Sequence, residues 1–357
     1  MRSATAAGLA TGLLAAVPAA AGAAESPARC RDVTVPVSLS QGQAAQYRIW
    51  GRLCTPAERP AGTVQVLVSG LNYSHVYWDF PFQPGHYSYA RHANSAGYAT
   101  FDLDRIGIGR SSHPAGSEVT LESNAHTVHQ VVAALRGGAI AGRRFATVML
   151  VGHSYGSEIA KLEAATYRDV DALVLTGSAH AISPTTERLL AQLGQPVDQV
   201  PRLAAEVPAG DSGYVTVQDV QRPEFMYNAA DADPRVIARD IATKETNTFG
   251  ELMTIGDADA PGVTGRITVP VLVGDGAGDR LACAPDATDC SSAATLAAAE
   301  RPFYPHARLD AVVVPHAGHA INLHRNAALA YRSIIAWTKR VLAARVPAMQ
   351  DPPGNPR

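Results

Sequence analysis

The chain is poor in several things, and each shortage narrows what it can be. Charged residues make up only 17% of its 357 positions, against 46% hydrophobic ones, a balance that excludes a disordered or coiled-coil chain. An excess of either charge is also missing. Lysine and arginine number 30 against 32 aspartates and glutamates, a net of -2. Nucleic-acid binding is therefore not expected, because a phosphate backbone asks for a basic field. Seven phenylalanines and three tryptophans are few, so the core must be aliphatic. No internal repeat is visible, and no CxxC pair stands among the four cysteines. The one long apolar run, residues 5–21, is too short and alanine-rich for a membrane anchor. Glycine (30) and proline (24) are plentiful, as in a chain with many loops.

That apolar run follows Arg2 and ends in Ala21-Gly22-Ala23, a small-x-small cleavage pattern. Residues 1–24 are expected to be a secretory signal, and the mature protein to be extracellular. Four cysteines suit export. They allow three pairings; Cys30–Cys54 and Cys283–Cys290 are favoured, since each pair lies in its own stretch of sequence. A zinc site is the rival reading of the same residues.

Apolar stretches alternate with helical periodicities along most of the chain. Residues 32–54 read as a leading hairpin. Strands are expected at 63–69, 98–102, 146–151, 171–175, 269–273 and 309–314, and helices at 118–136, 154–166 and 323–344. Strands that are apolar throughout and separated by helices imply a largely parallel sheet buried on both faces. The rhythm breaks between 178 and 265, a polar, proline-punctuated stretch with helix candidates near 185–193, 234–243 and 246–256. It is too long for a crossover and reads as a mainly helical cap over the strand ends. The expected organisation is a core at 25–177 and 266–346, a cap at 178–265 and a flexible tail at 347–357.

The strongest local signal is Gly152-His153-Ser154-Tyr155-Gly156, placed between an apolar strand and a helix. A sharp strand-to-helix turn tolerates no bulk two residues either side of its apex, and glycines stand at both places. The Ser154 hydroxyl would then sit at a helix N-terminus, where negative charge is favoured. A serine needs a base. The loop Val314-Pro315-His316-Ala317-Gly318-His319 offers His319, with His316 as competitor. A histidine base is oriented by an acid. The loop Gly274-Asp275-Gly276-Ala277-Gly278-Asp279 offers Asp279, with Asp275 as the alternative. Two amides should receive the oxyanion: that of Tyr155, and that of Leu71 in the loop Ser69-Gly70-Leu71-Asn72. Gly70, Asn72, Tyr73 and His153 are candidates to contact substrate. Glu158 either pairs with Lys161 or meets a polar substrate group. Phe225, Met226, Tyr227, Phe249, Leu252 and Met253 either line the pocket or form the cap's own core.

These residues resemble the α/β-hydrolase fold superfamily. The order Ser154, Asp279, His319 is that family's order. Ser69-Gly70-Leu71 stands where many members carry a His-Gly oxyanion loop, with serine in place of the histidine. Asp102 to Ser111 resembles the family's D-x-R-G-x-G-x-S loop, departing at Ile106 and in the placing of Arg105. The resemblance implies a mostly parallel central sheet flanked by helices, with a mainly helical cap insertion. The leader, the alanine-rich composition and the cysteine-flanked acid loop resemble secreted actinobacterial serine esterases and lipases. Serine at the elbow, where dehalogenases and epoxide hydrolases of this fold carry aspartate, implies acyl transfer to water without metal or organic cofactor. The scaffold serves esterases, lipases, lactonases, thioesterases and peptidases. The expected substrate is a small to medium apolar ester or lactone. A peptidase or amidase acting on short substrates is the alternative, and a non-catalytic binding protein on the same scaffold a further one. The oligomeric state is left open.

Overall fold

A computed structural model of the chain describes residues 28–57, 61–181, 194–283 and 287–344. The expected signal, the flexible tail and the helix candidate at 185–193 lie outside these residues.

The leading hairpin forms from β1 (Ala28–Val37) and β2 (Tyr47–Pro56). The remaining strands of the main sheet are β3 (Thr63–Val68), β4 (Ala99–Leu103), β5 (Thr147–His153), β6 (Ala172–Thr176), β10 (Val271–Gly276) and β11 (Leu309–Val314). Their spatial order is β1-β2-β4-β3-β5-β6-β10-β11. The pairs β1–β2 and β2–β4 are antiparallel, and every later pair is parallel. Parallel strands joined by helices are covered on both faces. Val64, Val66, Val148, Leu150, Leu173 and Val271 are accordingly shut off from solvent.

Helices at Leu121–Gly137, Tyr155–Tyr167, Ala293–Glu300 and Ala327–Ala343 flank this sheet. The first starts at a reciprocal cap: Thr120 Oγ1 accepts from the Ser123 amide at 3.3 Å, and Ser123 Oγ accepts from the Thr120 amide at 2.9 Å. Gly138, at φ +83°, ends it.

The insertion has helices at Arg222–Met226, Pro234–Ala242 and Phe249–Thr254. It also holds a small antiparallel sheet of β7 (Gln195–Pro196), β8 (Tyr214–Thr216) and β9 (Asn247–Thr248). Strands of two or three residues are too short to show an alternation in sequence. The cap is tied down by threonine hydroxyls: Thr246 donates to the Gly107 carbonyl at 2.9 Å and Thr248 to that of Val119 at 2.8 Å. A buried ion pair, Arg222 to Asp240 at 2.9 Å through both Nε and Nη2, holds it together inside.

Register decides where the strands end. Val68 lies opposite Gly152, His153 opposite Thr176, Gly274 opposite Thr176, and Gly276 opposite Val314. The loops after β3, β5, β6, β10 and β11 therefore open at one edge of the sheet. Strand β10 runs three residues past its expected end, because parallel pairing with β11 continues to Gly276. Asp275 is thus a sheet residue, while Asp279 stands in the loop beyond. Cys30–Cys54 and Cys283–Cys290 are both disulfides. The first joins directly opposed residues of the hairpin.

Candidate active site

The turn at Ser154 is a strained one. Its φ is 53° and ψ -125°, a conformation costing about 1–3 kcal/mol for a non-glycine residue. The packing around it explains why it persists. A Cβ on Gly152 would sit 2.5 Å from the Gly156 carbonyl oxygen, and one on Gly156 would overlap the carbonyl of Val68. The Ser154 amide is held by the Thr176 carbonyl at 2.7 Å. Ser154 opens the helix Tyr155–Tyr167, so the first amides of that helix have no intrahelical acceptor.

His319 is 2% exposed, and its Nδ1 bonds Asp279 Oδ2 at 2.8 Å. With Nδ1–H donating there, Nε2 keeps a lone pair. That atom is buried with no hydrogen-bond partner among the described residues. His319 and Ser154 line the same cavity. The second Asp279 oxygen accepts from the amides of Leu281 and Ala282 at 2.8 and 3.1 Å. Burial raises the Asp279 carboxyl, but the His319 charge and hydrogen bond and those two amides outweigh it and leave it below the usual range. Asp275 is held differently. It accepts the Ser178 amide at 3.1 Å and does not bond His319. Burial, then Asp279 and Glu300, push its carboxyl well up. The carboxyl aimed at the imidazole is shifted toward its charged form, and burial disfavours the charge on the other, inside the sheet.

The loop carrying His319 is braced by a second histidine. The amides of Gly318 and Asn228 donate to His324 Nε2 at 2.9 and 3.1 Å, and His324 Nδ1 bonds the Ala320 carbonyl at 2.9 Å. Burial lowers the His324 pKa and favours the neutral ring that this geometry requires. His316 is exposed.

The loop after β3 packs directly on the elbow: a Cβ on Gly70 would lie 2.9 Å from that of Ser154. Leu71 follows, almost buried. Arg105 fixes this loop, with Nη2 donating to the Gly70 carbonyl at 3.2 Å and its guanidinium 5.0 Å from the Tyr155 ring centroid. Arg105 is itself buried in an ion pair with Glu251 of the cap.

Asn72 and Tyr73 turn away from the cavity. Asn72, at φ 61°, bonds Asn247 through its side chain and accepts the Glu245 amide at 2.9 Å. Tyr73 lies 4.3 Å beneath the Arg222 guanidinium. Both clamp core to cap. His153 is buried, stacked on Tyr77 at 4.2 Å and 4.9 Å from the His319 ring. Burial, then His319, hold its pKa well below the usual value, so it adds no charge beside the imidazole.

The cavity has a volume of about 70 Å³. Its walls join core residues Glu158, Gly177, Ser178, Leu281 and Ala282 to Ile255 and Asp259 from the cap. One wall is charged. Lys161 Nζ donates to both Glu158 oxygens at 3.1 Å and to Asp259 at 2.8 Å, and Ser178 Oγ donates to Glu158 at 2.6 Å. Burial pushes Glu158 up to about 7, with Lys161 opposing and Asp259 adding to it. Glu158 thus both pairs with Lys161 and faces the cavity. Phe225, Met226 and Tyr227 are core residues, whereas Phe249 and Met253 are 49% and 82% exposed and do not line this cavity. Sequence reasoning had no signal for Ile255 or Asp259, which reach the site from a 3-10 turn.

Residues 86–309 match the family described as serine aminopeptidase, S33. The chain belongs to this family. The match takes in Ser154 and Asp279 and stops short of His319. No match to the chain was found among curated proteins. Among solved structures, this S33 hydrolase is similar to a thermostable carboxyl esterase from Bacillus coagulans, with TM-score 0.60 and 16% identity over 87% of this chain and 98% of that one. It is also similar to a monoglyceride lipase from Saccharomyces cerevisiae, with TM-score 0.57 and 15% identity over 85% and 95%. The 2-hydroxy-6-oxo-6-phenylhexa-2,4-dienoate hydrolase of a Rhodococcus strain aligns with TM-score 0.52 and 19% identity over 85% and 97%. At such identities the likeness is one of fold, and it is the α/β-hydrolase fold. The S33 hydrolase is accordingly a serine hydrolase.

Proposed function

We propose that the protein is a secreted carboxylic ester hydrolase working through an acyl-enzyme on Ser154. The observation that carries this reading is the buried His319 imidazole, tied to Asp279 at Nδ1 and unengaged at Nε2. His319 Nε2 takes the Ser154 proton as Oγ attacks the ester carbonyl. The amides of Leu71 and Tyr155 receive the oxyanion. Asp279 keeps the imidazole in the right tautomer and balances its charge. His319 then protonates the departing alcohol. A water loses its proton to the same nitrogen, attacks the acyl carbon and releases the acid, with the proton returning to Ser154.

A cavity of about 70 Å³ has room for roughly five water-sized groups, which suits a short acyl ester or a small lactone. One observation favours a second reading, hydrolysis of short aminoacyl substrates: Glu158 and Asp259 face the same cavity and could pair with a free amine. A fluorophosphonate probe should label the protein and fail on Ser154→Ala. Rates on p-nitrophenyl esters of graded length, lactones and aminoacyl anilides should peak at the short esters. A folded protein that neither takes the probe nor turns over any of these overturns the reading, and a preference for the anilides selects the second.

Two disulfides, the apolar leader and its small-x-small end support export, and the alanine-rich composition fits the exported hydrolases of actinobacteria. No helix among the described residues is long and apolar enough to cross a membrane. Material recovered from the medium of a host with the leader intact should start near residue 24. Retention of the uncleaved chain in the cytoplasm overturns this part.

A further inference from the structure

The elbow helix carries a second cluster, about 13 Å along its axis from Ser154. Glu163 is fully buried there, and its oxygens meet the Asp169 carboxyl but no N–H or hydroxyl donor among the described residues. Asp169 Oδ1, just past the helix, is likewise buried and receives no N–H or hydroxyl donor. His129 Nδ1, from the helix Leu121–Gly137, bonds the other Asp169 oxygen at 2.8 Å. One ligand-type atom from each of the three residues lies within 4.8 Å of the other two.

Two carboxyls facing one another repel unless one of them carries a proton or a cation sits between them. The nearest guanidinium is engaged elsewhere. Arg136 spends its nitrogens on the Asp169 carbonyl at 2.7 Å, the Ala146 carbonyl at 3.1 Å and Asp171 at 2.5 Å. We infer that His129, Glu163 and Asp169 form a binding site for one divalent transition-metal ion, for which zinc is the best fit. One imidazole and two carboxylates are a donor set zinc accepts, whereas calcium asks for six to eight oxygens. Zinc with donors at about 2.1 Å holds tetrahedral ligands about 3.4 Å apart, so side-chain rotations of roughly 1 Å close the site. The side chains of His129 and Asp169 are 29% and 23% exposed, which gives an ion an entrance and a water a place to complete the shell. The Tyr167 ring, stacked on His129 at 3.9 Å, holds the imidazole in place. The other grouping of ligand-type residues among those described, Asp275 with Cys283 and Cys290, offers no thiolate, since both sulfurs are in a disulfide.

The ion would cross-link the helix that presents Ser154 to its neighbour, away from the chemistry. The competing occupant is a proton shared between Glu163 and Asp169. The full chain, stripped with EDTA and desalted, is titrated with zinc chloride by calorimetry and melted with and without zinc. One equivalent should bind with micromolar or tighter affinity, and the melting temperature should rise by about 4 °C at a hundredfold excess over Kd. Glu163→Gln and His129→Asn should each weaken binding roughly tenfold or more with the hydrolytic rate unchanged. Should Glu163→Gln not fold, the partly exposed His129→Asn decides alone. Failure of the wild-type chain to bind zinc, or equal affinity in the variants, overturns the site and leaves the shared proton or unrelated surface histidines as the explanation.

Discussion

The Arg105 guanidinium donates to the Gly70 carbonyl at 3.2 Å while its other nitrogen pairs with Glu251 of the cap. One buried side chain thus positions the loop that abuts Ser154 and anchors the insertion above it. Arg105→Met should strand Glu251 without a cation and destabilise the fold by about 3–5 kcal/mol. Adding Glu251→Leu should return most of that stability, because an apolar pair can replace a buried ionic one. The turnover rate should stay depressed in the double variant, since Gly70 still lacks its donor. Urea midpoints and kcat on a short ester separate the two effects. Full kcat in the double variant would confine Arg105 to stability.

The two aspartates of the acid loop should respond oppositely. Asp279→Asn removes the charge that orients His319, and kcat should fall by about 10⁴. Asp275 bonds the Ser178 amide and does not reach His319, and burial disfavours its charge, so Asp275→Asn should keep kcat within a few-fold. Steady-state rates on one ester decide it. A larger loss in the Asp275 variant would reverse the assignment.

Glu245 gives a pH dependence with a definite sign. Burial, then Glu206, push its carboxyl up to about 8 from an ordinary 4.5. Between those values the folded chain keeps a proton that the unfolded chain has released. Stability from this group is therefore lost as pH rises from about 4.5 to about 8. At about 1.4 kcal/mol per unit, the loss is on the order of a few kcal/mol. Urea unfolding at pH 5 and pH 8 should show a smaller drop for Glu245→Gln than for the wild type. Parallel curves would remove the group from the balance.

The disulfides should separate in their effects. The Cys283 amide donates to the Asp279 carbonyl at 3.1 Å, so Cys283→Ser with Cys290→Ser loosens the acid loop. That variant should lose a few-fold in kcat together with about 2 kcal/mol of stability. Replacing Cys30 and Cys54 should cost about 2–4 kcal/mol and leave kcat alone, because the hairpin touches no part of the cavity. Equal kcat in both serine variants would detach the acid loop from its bridge.

Much of this arrangement was legible in the sequence where the governing rule is local. The elbow is one case, since the need for glycine at 152 and 156 comes from atoms within a few residues and one neighbouring strand. The acid was legible as Asp279 with Asp275 as its alternative. What separates Asp275 from Asp279 is how far β10 stays paired to β11, a contact across some forty positions of chain. Glu251 carried no signal, and Arg105 was legible only as a member of its loop, because their worth lies in partners brought together by the fold: Arg105 and Glu251 are 146 residues apart. Asn72 and Tyr73 sit beside the site in sequence, yet a left-handed turn at Asn72 directs them into the cap. The cap's sheet escaped notice because strands of two or three residues are too short to repeat an alternation.

Every group proposed to react stands at the sheet edge, whereas Ile255 and Asp259 reach the cavity from the cap. Chemistry and choosiness are therefore written on exchangeable lengths of chain. A cap grafted from another hydrolase could re-tailor what is admitted while the reaction stays as it is, provided the graft brings its own counterparts of Glu251 and Asp259 to meet the Arg105 and Lys161 waiting below.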